Sequence, residues 1–133
     1  MKKLIFLMLF WVIPVSAAKL SLLDEAVQLG TIAGLAEACG ETKKLETYEL
    51  ISARLIANKS NSEEQEMEGY RRYAAERLRA SREHKRSPKL TCGEILNRFQ
   101  KLPLFKSIVY KDGSLKFYDG TYYPAKGMYV KKQ

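Results

Sequence analysis

The sequence predicts a mainly α protein: an up-down four-helix bundle clamped by one disulfide, with a small C-terminal β-meander. Three observations carry that prediction. Segments with apolar residues at helical spacing run in succession between Leu22 and Leu102, separated by cap and turn residues. The two cysteines, Cys39 and Cys92, fall at the end of the first such segment and the start of the fourth. Past Pro103 the pattern changes to short aromatic and β-branched runs punctuated by Asp112-Gly113 and Asp119-Gly120.

These patterns divide the 133 residues into a leader over 1–18, a helical bundle over 19–104 and an aromatic tail over 105–133. The leader opens with Met1-Lys2-Lys3, continues apolar from Leu4 to Val15 and ends in the small residues Ser16, Ala17 and Ala18. A basic start, a short apolar region and a small-residue cut site make a cleavable secretory signal peptide, cut after Ala17 or Ala18. The apolar run of about 12 residues falls short of the roughly 20 that a spanning helix needs. Pro14 also suits a cleavage region better than a helix interior. No cysteine lies near the cut, which argues against a lipid anchor. Because the apolar region is short, in the bacterial manner, the expected location is the periplasm, with the medium as the alternative.

Cleavage removes Trp11, the only tryptophan, together with Lys2 and Lys3, so the formal charge falls from +8 to +6. About 115 residues remain, enough for one domain with a modest core. The basic balance fits either plain solubility or contact with polyanions such as lipid headgroups and cell-wall phosphates. Export removes nucleic acid as an expected partner.

The first helix opens at Ser21, with Asp24 and Glu25 at the positive end of its dipole. Leu22, Val27, Leu29, Ala33 and Ala36 make it broadly apolar. Gly30, Gly34 and Ala38 form a smooth stripe against which a neighbouring helix packs closely, and Gly40 is placed as a left-handed cap. The second helix runs from about Thr42 to Ala57 with Leu45, Tyr48, Ser52, Leu55 and Ile56 on one face. Asn58 to Ser62 reads as a polar turn. Ser62 and Gln65 form a capping-box pattern for the third and longest helix, Glu63 to Lys85. Its expected inner side carries Met67, Tyr70, Ala74, Leu78 and Ser81; its other side carries Arg71, Arg72, Arg79 and Arg82, a solvated face or an anion-binding ridge. Ser87-Pro88 stops that helix. Thr91 and Glu94 cap a fourth one bearing Ile95, Leu96 and Phe99 and ending near Leu102-Pro103.

Two cysteines in an oxidising compartment read as a bridge. In an up-down bundle the end of the first helix and the start of the fourth share one end of the molecule, so Cys39 and Cys92 are placed to pair. No Cys-x-x-Cys redox motif occurs, and two thiols with the single histidine, His84, fall short of a closed zinc site. Neither a metal nor a cofactor is expected.

No catalytic residue emerges. His84 lies among Arg82, Glu83, Lys85 and Arg86 and reads as an exposed surface residue. Glu94 with Asp112 or Asp119 could cleave glycans as a carboxylate pair, but each already has a role as a cap or turn residue. The tail crowds Tyr110, Phe117, Tyr118, Tyr122, Tyr123 and Tyr129 among lysines. Alternation along a strand leaves some of these rings facing away from the helices. They either cover the open end of the bundle or form a protein or glycan contact surface.

Leu29-Gly30 through Ala38-Cys39-Gly40, followed by Glu68-Gly69-Tyr70-Arg71 and a second cysteine, resembles an uncharacterised family of small secreted helical proteins from alphaproteobacteria. The resemblance covers roughly the first two-thirds of the mature chain; it implies a helical fold and export and supplies no activity. The spacing from that Gly-Tyr-Arg to Cys92 is longer than in the family, and the aromatic tail lies outside its pattern.

The functional expectation is a non-enzymatic periplasmic interaction protein, either an accessory subunit of an envelope or secretion machine or an inhibitor or immunity protein. It would bind a protein partner through the aromatic tail or the basic third helix. The alternatives are a small cell-wall glycan hydrolase and a polyanion or lipid-headgroup binder on an anionic envelope surface.

Overall fold

A computed structural model describes residues 21–126. The expected signal peptide over 1–18 and Tyr129 lie outside them. Four helices come first: α1 (Leu22–Ala38), α2 (Lys43–Lys59), α3 (Glu63–Arg86) and α4 (Cys92–Gln100). A 3-10 turn (Pro103–Lys106) leads into β1 (Ile108–Val109), β2 (Leu115–Lys116) and β3 (Tyr122–Tyr123), an antiparallel sheet in the order β1-β2-β3. Among the described residues no helix is long and apolar enough to cross a membrane.

The helix starts follow their caps. Ser21, Ser62 and Thr91 accept from the backbone N–H groups of Asp24, Gln65 and Glu94 at 3.2, 3.1 and 3.2 Å. At the end of α1, Gly40 takes φ +88°, its N–H donates to Glu37 O, and the Glu41 N–H reaches back to Ala36 O. This paired closure of the last turn holds Cys39 at a fixed point.

Parallel helices α1 and α3 form the closest contact in the molecule. Gly30 and Gly34 lie against the backbone of α3: a β-carbon on Gly30 would sit 2.3 Å from the Tyr73 carbonyl oxygen, and one on Gly34 2.2 Å from that of Arg77. The close-packed stripe is therefore in the core, as its spacing implied. Of the expected inner side of α3, Ser81 is buried and Tyr70 packs on the cluster of Leu22, Ala26 and Ile56, but three residues face out. Met67 and Leu78 are about half exposed, at 45% and 51%, and Ala74 is exposed as well. The side that packs inward carries Glu66, Gly69, Tyr73, Ala80 and Ser81. The close approach of the α3 backbone at Tyr73 and Arg77 to Gly30 and Gly34 sets this inward side.

The main core gathers Leu29, Ile32, Ala33, Ala36, Leu45, Tyr48, Ile51, Leu55, Phe99, Leu102 and Leu104 with Leu115 and Phe117 of the meander. Phe99 stands 5.3 Å from both Tyr48 and Phe105, centroid to centroid. Buried Tyr48 donates its hydroxyl to Leu29 O at 2.7 Å. Cys39 and Cys92 are bridged, with Cα atoms 5.2 Å apart across 53 residues of sequence. The bridge ties the end of α1 to the start of α4, as the up-down order requires.

Candidate functional site

The two Asp-Gly sites build two equivalent turns. In the first, the Tyr110 N–H donates to Ser114 O and the Gly113 N–H to Tyr110 O; in the second, Phe117, Thr121 and Gly120 repeat the arrangement. Gly113 and Gly120 take φ +90° and +91°, while no other residue type among those described has positive φ. Each loop is thus a three-residue turn with glycine at the left-handed position. Asp112 and Asp119 brace the turns by accepting from the N–H groups of Ser114 and Thr121, both at 2.9 Å.

Pairing Val109 with Leu115 and Leu115 with Tyr123 sets one row across the sheet. That row faces the bundle. Leu115 is fully buried, with Val109 and Tyr123 packed on the same core. Asn58 fastens the sheet from below. It sits on α2, 2% exposed, and its amide donates to Gly113 O at 2.8 Å and Tyr123 O at 3.4 Å, while its Oδ1 accepts from the Lys126 N–H at 3.1 Å. The expected polar turn at Asn58 is therefore a buried latch on the helix, because three backbone groups of the tail need a partner there.

The opposite row, Ile108, Lys116 and Tyr122, faces solvent, with Ile108 at 48% exposure and Tyr122 at 56%. Tyr110, 41% exposed, lies two residues beyond Ile108 on the same side of the strand path. The six rings of the proposed contact surface divide accordingly. Tyr110 and Tyr122 point outward, and Tyr118 and Tyr123 are half-buried against the core. Phe117 is a correction: it is buried, 4.6 Å from the Tyr118 ring, because it lies two residues past Leu115 on the row that packs into the main core. The strand register thus separates rings packed on the core from rings exposed to solvent.

Glu25, in the first turn of α1, is buried and pairs with Lys59 at 2.7 Å. Burial pushes its carboxyl above the ordinary value, Lys59 opposes that shift, and Asp119 of the second turn adds to it. The Lys59 ammonium also lies 5.9 Å from the Tyr123 ring centroid.

Of the four arginines expected on α3, three are paired within the helix. Arg71 and Arg72 share Glu68, and Arg79 reaches Glu76 and Glu83 at 2.8 and 2.7 Å. The Arg72 bond, with both guanidinium charges nearby, holds the Glu68 carboxyl below its ordinary range. Arg82 is exposed and lines a shallow groove with Leu78, Arg79 and Arg86.

His84 is not the freely exposed residue that its charged neighbours imply. It is half-buried, with Nε2 3.6 Å from Sγ of Cys39 and 3.6 Å from Sγ of Cys92. These three side chains form the group, among the described residues, that could hold a metal ion. The spacing 66, 69, 73, 77, 80, 84 along α3 was the available signal, since steps of three and four define one helix face.

Two of the three carboxylates considered for glycan cleavage, Asp112 and Asp119, brace the turns. Glu94 donates its backbone N–H to the Thr91 hydroxyl. Asp112 accepts from both the hydroxyl and the N–H of Ser114, which hold its carboxyl below the ordinary range, the opposite of a general acid. No protein-family model, curated protein or solved structure matches this chain.

Proposed function

We propose that this chain is an exported, non-enzymatic interaction protein of the bacterial periplasm that binds a protein partner through the outer face of its meander. The observation that carries the reading is the row Ile108, Lys116 and Tyr122, with Tyr110 beside it. The inner face packs Val109, Leu115, Phe117 and Tyr123 on the core, while Ile108, Tyr110 and Tyr122 keep about half of their surface in solvent. Large apolar side chains around one lysine suit a partner with an apolar pocket rimmed by carboxylates. An accessory subunit of an envelope or secretion machine fits this surface, as does an inhibitor or immunity protein. The composition of residues 1–18 supports export, and the Cys39–Cys92 bridge suits an oxidising compartment. A photo-crosslinking residue at Tyr122, compared with one at Leu50 on α2, tests the surface. A partner trapped from 122 and not from 50 supports the reading, whereas equal trapping from both opposes it.

A second reading rests on the outward side of α3, where Met67 and Leu78 lie exposed near Arg71 and Arg82. Apolar residues flanked by arginines fit an anionic lipid surface. Binding to anionic vesicles that weakens steeply with salt supports this reading, and salt-insensitive binding opposes it.

A further inference from the structure

The disulfide end of the bundle holds side chains that neither binding surface uses. The Gly40 turn fixes Cys39 at the end of α1, and the Thr91 cap fixes Cys92 as the first residue of α4. Helix α3 then carries His84 between them, its Nε2 at 3.6 Å from each sulfur. A tetrahedral zinc ion bonds nitrogen at about 2.0–2.1 Å and thiolate sulfur at about 2.3 Å, which separates that nitrogen from each sulfur by about 3.6 Å. The imidazole therefore already stands at ligand spacing from both sulfurs, which the covalent S–S bond holds to each other.

The geometry points to a redox-gated site for one thiophilic cation, zinc(II) or copper(I), formed by Cys39, His84 and Cys92 when the disulfide is reduced. A dithiol reductant delivers two electrons and two protons to the S–S bond and is itself oxidised to a disulfide. Each freed thiol then loses its proton to solvent as it binds the ion as thiolate. His84 binds through the Nε2 lone pair, with its proton on Nδ1. The sulfurs separate from about 2 Å to about 3.8 Å. Two side-chain tips share that movement, on Cα atoms 5.2 Å apart. Three protein ligands leave one position of a tetrahedral ion for water or an incoming ligand, so the site is open and its ion exchangeable. Disulfide and metal are then alternative clamps at the same end of the bundle. The first joins α1 to α4, and the second also engages α3.

Zinc(II) titration into the purified chain, against a chromophoric chelator and without oxygen, tests the site. The proposal expects the phosphine-reduced chain to take up one equivalent, the oxidised chain none above background, and reduced His84→Ala to bind at least about tenfold more weakly. Reduced wild type that takes up no zinc overturns it, as does reduced His84→Ala that binds as tightly as wild type. Should reduction abolish the helical circular dichroism, one equivalent of zinc restores it in wild type and not in His84→Ala. Failure of that restoration equally overturns the site.

Discussion

The side-chain amide of Asn58 donates to the carbonyl oxygen of Gly113 at 2.8 Å, so a buried residue at the end of α2 holds the first turn of the meander. Asn58→Ala strips partners from Gly113, Tyr123 and Lys126 at once. The expected loss is about 1–3 kcal/mol, the cost of leaving buried polar groups unpaired. Urea denaturation reads the total, and faster hydrogen exchange at Lys126 locates it in the tail.

Close approach of α1 to α3 makes Gly34 intolerant of any side chain. A methyl group there meets the Arg77 carbonyl oxygen at 2.2 Å and the Ala80 β-carbon at 2.9 Å, so Gly34→Ala must push the helices apart. A cost of about 1–3 kcal/mol follows from overpacking, although alanine is the better helix former. Thermal melting of Gly34→Ala beside an alanine at exposed Lys85 separates the two effects.

Local chemistry made much of this fold legible. Ser21, Ser62 and Thr91 cap through hydrogen bonds to residues three positions away, and Asp112-Gly113 and Asp119-Gly120 turn through bonds equally short in sequence. What escaped depends on distant partners. The inner face of α3 is chosen by glycines on α1, and apolar periodicity is blind to packing that uses backbone in place of bulk. Asn58 has the composition of a turn residue and is buried only because Gly113, 55 residues on, docks against it. His84 sits in a charged run, yet its place on the Tyr73–Ala80 face carries it to the disulfide. In the tail, the inward ring could be told from the outward ones only once the strand register was known.

Glu25 gives stability an unusual dependence on pH. Its folded-state carboxyl titrates above the ordinary 4.5, chiefly through burial. A raised value means that folding favours the protonated form. The resulting stabilisation is present below the ordinary value and is lost as pH rises through the raised one. Asp112 and Glu68, held low by their hydrogen bonds, act in the opposite sense and lose stabilisation as pH falls. Glu25→Gln removes the first effect alone. Its stability relative to wild type should therefore rise as pH increases from that ordinary value through the raised one, and level off above it; a difference that stays flat with pH refutes the assignment.

Loss of the Cys39–Cys92 bridge releases a span of 53 residues in the unfolded chain. Cys92→Ser should cost about 4 kcal/mol by loop-closure entropy. Guanidinium denaturation of the variant beside oxidised wild type, both in metal-chelating buffer, measures this without interference from bound ions.

The outer face of the meander is the central claim, and affinity capture from periplasmic extract tests it most directly. The baits are wild type and the double variant Ile108→Ser with Tyr122→Ser, both exposed positions whose loss leaves the melting temperature nearly unchanged. The account predicts a protein captured in stoichiometric amount by wild type and lost by the folded double variant. Capture of the same protein by both, or of none by either, contradicts it.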